Sequence, residues 1–273
     1  MTLRIIVASK NEIPFVESSI IEATPHVDEI VVVEHNYTHT GLPKPFNFDS
    51  LVLERDWQNR FPKVRYLKVD LSETICREAT TSAEMHKNEW SMRSSFLDFA
   101  EYDKRDIVFA VDADEIIYGS VFSNVIPELS KGKLRLKAFR LAMLQFFYRP
   151  NYLWSDLIFK GPVAGHVGLL RRKKIQFRDY GHEWPQVAGC HFSWQLTVDE
   201  MVSKLQAYGH NADYAHLANK ELLANAVATK TYPFEPERPF TIVELSRAQS
   251  RELYPEALWS HVDELAYLLP EKW

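Results

Sequence analysis

The densest group of chemistry-capable residues in the chain is Asp112-Ala113-Asp114-Glu115, directly after the apolar run Ile107–Val111. On an extended segment, residues i and i+2 project to the same side. Asp112 and Asp114 can therefore grip one hard divalent cation, Mn²⁺ or Mg²⁺, and that cation can clamp a diphosphate. Three carboxylates at a buried strand's edge are costly unless solvated or metal-bound; the competing reading is a solvated turn with a helix cap. An imidazole can complete such a metal shell. His191, within Gly189-Cys190-His191-Phe192-Ser193-Trp194, is placed for it, with His166, His182 and His210 as competitors. A third polar group is the stretch Glu34 to Pro45, which has a glycine turn at Gly41 and offers Lys44, set between two stiffening prolines, as a phosphate partner. Without a ligand it reads as an ordinary polar loop.

These groups need a scaffold that brings them to one edge. Leu3–Ala8, Glu29–Glu34, Val64–Val69 and Ile107–Val111 read as buried strands. Helical patterns over Pro14–Ala23 and about Asn88–Tyr102 fall between them. Strands alternating with helices imply a largely parallel sheet covered on both faces. Ligands bind beyond the carboxyl ends of such strands, where the residues after Ala8, Val33 and Val111 should meet. The second half is more aromatic. Arg135–Tyr148 reads as one or two strands and Val167–Arg171 as another; Val198–Tyr208, Leu217–Val227 and Glu256–Leu269 read as helices. Phe146, Phe147, Tyr148, Tyr152, Trp154, Trp184 and Trp194 can stack on sugar faces or fill a core.

Composition closes off other classes. The chain has 273 residues, 46% hydrophobic and 25% charged, with a net charge of −5, which argues against nucleic-acid binding by bulk charge. The run Arg171-Arg172-Lys173-Lys174 is a solvated face or a local receptor for an anionic acceptor, nucleic acid included. Two cysteines, Cys76 and Cys190, cannot form a disulfide scaffold or a cysteine-cluster zinc site. No apolar stretch approaches the roughly 20 residues that span a bilayer, and the N-terminus lacks a signal-peptide pattern. The expectation is a soluble, cytoplasmic protein.

The loop NYTHTGLPKPFNF, the segment MRSSFLDF leading into VFAVDADEI, and GCHFSW followed by a helix carrying Lys204 occur in that order. Together, over roughly residues 1 to 212, they resemble glycosyltransferase family 17. The resemblance implies a GT-A type nucleotide-diphospho-sugar transferase fold: an α/β protein with a mostly parallel central sheet flanked by helices and a C-terminal helical elaboration. Residues 1–118 would form the nucleotide-sugar-binding half, and residues 119–273 the acceptor side of the same domain. It also implies a divalent metal and inversion at the anomeric carbon. Asp112 and Asp114 would then hold the metal with the donor diphosphate. Ser9, Asn11 and Glu34 would meet the uridine of a UDP-sugar, and Arg93 would reach base or phosphates unless it merely pairs with Glu89. An inverting transfer needs a general base for the acceptor hydroxyl; Glu183 comes first, then Asp156, with Glu115 a base or a turn cap. Two departures matter. Animal members carry a membrane anchor that this sequence does not show, so their glycoprotein acceptor does not carry over. Cys190 stands where the family's GWH-like segment would have Trp. The expected activity is transfer of GlcNAc or another hexose to a glycan or other hydroxyl acceptor. The alternatives are a nucleotidyltransferase, a metal-dependent phosphohydrolase, or a non-catalytic nucleotide-sugar or glycan-binding module.

Overall fold

Runs rich in Val and Ile, buried on both faces, make three of the first four strands, and the half-buried edge strand Val64–Val69 completes them. In the computed structural model, which describes residues 1–7, 10–98, 102–131, 136–173, 178–207, 211–270 and 273, β1 (Thr2–Val7), β2 (Glu29–His35), β3 (Val64–Val69) and β4 (Ile107–Asp112) pair in parallel in the order β3-β2-β1-β4. The helix Ile13–Ala23 connects β1 to β2, with Pro14 tolerated in its first turn and Val16 and Ile20 packed into the core. The helix before β4 spans Ser82–Ser94, starting upstream of the expected Asn88. A capping box sets that start: Thr81 accepts from the Glu84 backbone, and Glu84 reaches back to the Thr81 backbone. It ends at Ser94 in a tight 3-10 turn, Ser95–Asp98.

The second half continues the sheet with mixed direction. The remaining strands are β5 (Glu115–Ile117), β6 (Ala138–Phe147), β7 (Tyr152–Phe159), β8 (Val163–His166), β9 (His182–Ser193) and β10 (Ile242–Glu244). Strand β8 runs antiparallel to β4, and β6, β7 and β10 follow antiparallel in turn. Strand β9 lies parallel to β6 and carries β5 on its other edge.

Three sequence expectations change here. Val167–Arg171 is not a strand but part of the helix Val167–Arg172, because the Val167 and Gly168 amides turn back to the carbonyls of Asp106 and Lys104 at 2.8 and 2.9 Å. Arg171 is not on a solvated face: its guanidinium donates to the carbonyls of Leu97 and Tyr102. Of the seven aromatics named above, Phe146, Phe147, Tyr148, Tyr152, Trp154 and Trp194 are buried, the last five packing with Met201, Leu205 and Leu223, and Trp184 is partly exposed. The chain closes with a long 3-10 helix, Glu256–Leu268, whose Leu258, Val262 and Leu265 are buried. No helix among the described residues is long and apolar enough to cross a membrane.

Candidate active site

A cleft of about 330 Å³ opens at the carboxyl ends of β1 and β2. Its walls include Asn11 and Glu12 after β1, His35, Thr38, His39 and Lys44 at and after β2, Asp114 after β4, and Trp194 to Leu196 after β9. The helix Val198–Ala207 adds Glu200, Ser203 and Lys204. The sheet thus gathers at one edge the segments expected to meet there.

Asp114 and His191 face one another across the β5–β9 pairing. Glu115 is opposite His191 in register, and the Phe192 amide donates to the Asp114 carbonyl at 2.8 Å. Gly189 permits this approach: an added Cβ would lie 2.0 Å from the Ile116 carbonyl oxygen. Gln145 on β6 orients the imidazole. Its Nε2 donates to the Phe146 carbonyl at 3.2 Å, so its Oε1 is the atom 2.8 Å from His191 Nδ1. Nδ1 then carries the proton, and the lone pair of Nε2 points to Asp114 Oδ2, 3.5 Å away. Two lone pairs facing each other call for a cation, whether a proton or a metal ion. Burial alone would raise the Asp114 carboxyl, but the neighbouring His191 outweighs it and holds it below the usual range. Asp114 lines the cleft with the oriented His191 imidazole beside it, and a carboxylate with an imidazole is a donor set that suits Mn²⁺.

Asp112 is placed differently. Its Oδ2 accepts from Arg93 at 2.7 Å and from Arg178 at 2.6 Å, and Arg4 lies 3.9 Å from Oδ1. Burial pushes this carboxyl up, yet Arg178, Arg93 and Arg4 together drive it far below the ordinary range. Both close guanidinium contacts go to Oδ2, and Oδ1 is buried without a hydrogen-bond partner. Arg178 also bridges to Glu115, whose other oxygen accepts the Asp112 amide at 2.7 Å. Glu115 therefore acts as the turn cap. Arg93 makes the pair with Glu89 at 2.8 Å and a second contact, not anticipated from the sequence, with Asp112. Among the described residues no three His, Cys, Asp or Glu side chains converge on one metal position; of the expected trio, Asp114 and His191 lie together and Asp112 is held by Arg93 and Arg178.

Glu34 does not face a ligand. It is fully buried and accepts from Lys44 Nζ at 3.0 Å, the Asn47 and Phe48 amides at 2.7 and 3.0 Å, and the Tyr66 hydroxyl at 2.6 Å. This carboxylate folds the loop after β2 back onto the sheet and holds Lys44 at the cleft. Asn88 fixes the loop from the other side, donating to the carbonyls of His39 and Cys76. Asn11 lines the cleft and donates to Glu200 at 2.6 Å. Ser9 and His210 lie outside the described residues.

Neither Glu183 nor Asp156 reaches the cleft. Glu183 pairs with Arg140 in the β6–β9 register and His191 with Gln145. Five residues of β6 separate those positions, about 17 Å at roughly 3.3 Å per residue. Glu183 is exposed and bound to Lys160 and Arg140, and the Lys160 contact lowers its pKa. Asp156 is exposed and accepts the Thr241 amide at 2.6 Å. The carboxylates that do line the cleft, besides Asp114, are Glu12 and Glu200. His166 is tied to the Lys137 backbone at 2.9 Å and His182 is exposed at the start of β9. Cys190 is buried, its thiol pushed up to about 12 by that burial. Sequence reasoning missed Gln145, Arg178 and Arg4. Gln145 and Arg4 carried a signal, as polar residues inside largely apolar strands.

A half-parallel sheet with a crossover helix, and a ligand-ready carboxylate and imidazole at its carboxyl edge, defines the α/β class of GT-A type transferases. The chain belongs to glycosyltransferase family 17, whose family model matches residues 3–271, and it is a glycosyltransferase. Among solved structures, it is similar to galactosyltransferase LgtC in complex with donor and acceptor sugar analogues, at 10% identity and a TM-score of 0.38, covering 100% of this chain and 99% of that one. It is also similar to 4-diphosphocytidyl-2C-methyl-D-erythritol synthase, at 14% identity and a TM-score of 0.42, covering 75% of this chain and 97% of that one. The glycosyltransferase GlyE of Streptococcus pneumoniae TIGR4 is similar at 10% identity and a TM-score of 0.34, with 98% of this chain and 63% of that one covered. No curated protein sequence matches the chain.

Proposed function

We propose that the protein is a metal-dependent inverting glycosyltransferase that moves GlcNAc or another hexose from a UDP-sugar to a hydroxyl acceptor. The observation that supports this most is the Asp114–His191 pair, with Nε2 left as a lone pair by the Gln145 contact. A divalent cation held there would neutralise the donor diphosphate and the charge of the leaving UDP. Lys44, held in place by Glu34, and Lys204, 5.2 Å from the Trp194 ring centre, supply further positive charge to the cleft. The uridine follows from the family resemblance, with residues 1–118 on the nucleotide side and 119–273 on the acceptor side. The base that takes the acceptor proton belongs to the cleft wall, at Glu12 or Glu200.

The test is turnover. UDP release from UDP-GlcNAc and UDP-glucose is followed with Mn²⁺ and a panel of glycan, protein and nucleic-acid acceptors, and the product's anomeric configuration is read by NMR. Release of UDP with inverted product is expected. A retained configuration would remove the inverting mechanism. No turnover of any UDP-sugar, hydrolysis included, would favour a binding module.

A further inference from the structure

Strand β9 ends at Ser193, and the next residue, Trp194, holds φ at +59°. A bulky aromatic residue in the left-handed region is strained, and such strain persists where the surroundings impose it, often at ligand sites. The turn closes with the Leu196 amide donating to the Trp194 carbonyl at 2.8 Å and sets Gln195 into the cleft wall. Gln195 is only 4% exposed. Its Nε2 donates to the Ser193 carbonyl at 3.2 Å, which fixes the amide orientation, since the flipped amide would set oxygen against oxygen. Its Oε1 is buried and has no hydrogen-bond partner on the protein. A buried carbonyl oxygen left unpaired is costly, and Gln195 is among the residues that line the cavity also containing Asp114 and Lys204.

We propose that Gln195 reads the transferred sugar, its Oε1 accepting a hydrogen bond from an O–H or N–H of the donor's hexose. This rests on the nucleotide-sugar reading of the cleft. Oε1 can only accept, so phosphate oxygens and carbonyls are excluded as partners. The loop after β2 occupies the nucleoside side, and Asp114 with His191 marks the diphosphate. Gln195 follows β9, the strand that carries His191, and lines the same cavity as Asp114, so on the nucleotide-sugar reading it falls to the hexose beyond the diphosphate.

The experiment compares UDP with UDP-hexoses by calorimetry in Mn²⁺, on the wild type and Gln195→Met. The variant should bind UDP within about twofold of wild type, which also reports an intact cleft, and lose roughly 3- to 10-fold for the UDP-hexose, the worth of one hydrogen bond. A loss confined to UDP-GlcNAc identifies the amide N–H as the group read; an equal loss for UDP-glucose identifies a hydroxyl. Deoxy-hexose donors on the wild type repeat the test without altering the protein. One of them should lose the same factor, and Gln195→Met should not discriminate against it. Parallel losses for UDP and UDP-hexose would overturn the proposal, because Oε1 would then face the nucleotide. Unchanged affinities for both would overturn it too, as a group satisfied by solvent. Failure of the wild type to bind any of these ligands would instead overturn the nucleotide-sugar reading, and this one with it.

Discussion

Asp112 and Asp114 stand two positions apart and face different surroundings. Asp112 neutralises Arg93 and Arg178 behind the cleft, whereas Asp114 meets the cleft beside His191. Asp114→Asn and His191→Ala should each weaken Mn²⁺ affinity about 10- to 100-fold and leave the melting temperature nearly unchanged. Asp112→Asn should do the reverse. It removes the shared charge between Arg93 and Arg178, which keep Glu89 and Glu115 as partners, a loss on the order of 1–3 kcal/mol for weakened buried hydrogen bonds, read by urea denaturation. Metal affinity lost with Asp112→Asn at unchanged stability would return that residue to the metal shell. The base is also a residue-scale question. Glu12→Gln or Glu200→Gln should lower kcat at least ~10²-fold with donor binding kept, while Glu183→Gln and Asp156→Asn should leave kcat within about twofold. A selective loss with Glu183→Gln would require β9 to move toward the cleft.

At the scale of elements, the site depends on the loop after β2, and Glu34 is its anchor. Glu34→Ala leaves Lys44, two backbone amides and the Tyr66 hydroxyl without their acceptor. It should cost roughly 3–5 kcal/mol and expose residues 36–47 to proteolysis. A protease-resistant variant of normal stability would refute the anchoring role. Glu34 also illustrates what was legible in the sequence. Its position at the end of β2 was readable, because strands buried on both faces are continuous apolar runs. Its inward role was not, since its partners come from β3 (Tyr66) and from the start of the helix Phe48–Glu54 (Asn47 and Phe48). Strand β9 was unreadable as a strand because its first half is exposed and it contains Pro185 and Gly189. The helix Val167–Arg172 was mistyped because a short apolar run has no period that separates strand from helix. Asp114 and His191 were visible as residue types. Gln145 and Arg178 become meaningful only when β6 and the segment before β9 close around them.

Across the whole molecule, the C-terminal 3-10 helix is tied to the first half of the chain through one buried carboxylate. Glu17 is fully buried and is held by Arg55, Arg60, Trp57 and His261 at 2.7 to 3.0 Å. Burial pushes Glu17 up, but these four partners outweigh it and hold its pKa well below the ordinary 4.5. Its stabilisation is thus complete above that value and lost as pH falls below it. His35 adds an earlier loss. Burial lowers it to about 3 from an ordinary 6.5, so the unfolded chain takes up a proton that the folded one refuses. Stability should therefore decline as pH falls through the range from 6.5 to 3, steepening below 4.5 where Glu17 joins. Urea midpoints at pH 7.5, 5.5 and 4 would show this decline, and equal midpoints would refute it. Glu17→Gln should flatten only the steeper, more acidic part.

The account turns on whether the Asp114–His191 pair holds a cation that in turn holds a nucleotide diphosphate. Calorimetric titration of the wild-type protein with UDP, in Mn²⁺ and again in EDTA, addresses that directly. The account predicts binding at least ~10-fold tighter with Mn²⁺, and loss of that difference in His191→Ala. Equal UDP affinity in Mn²⁺ and EDTA would contradict it.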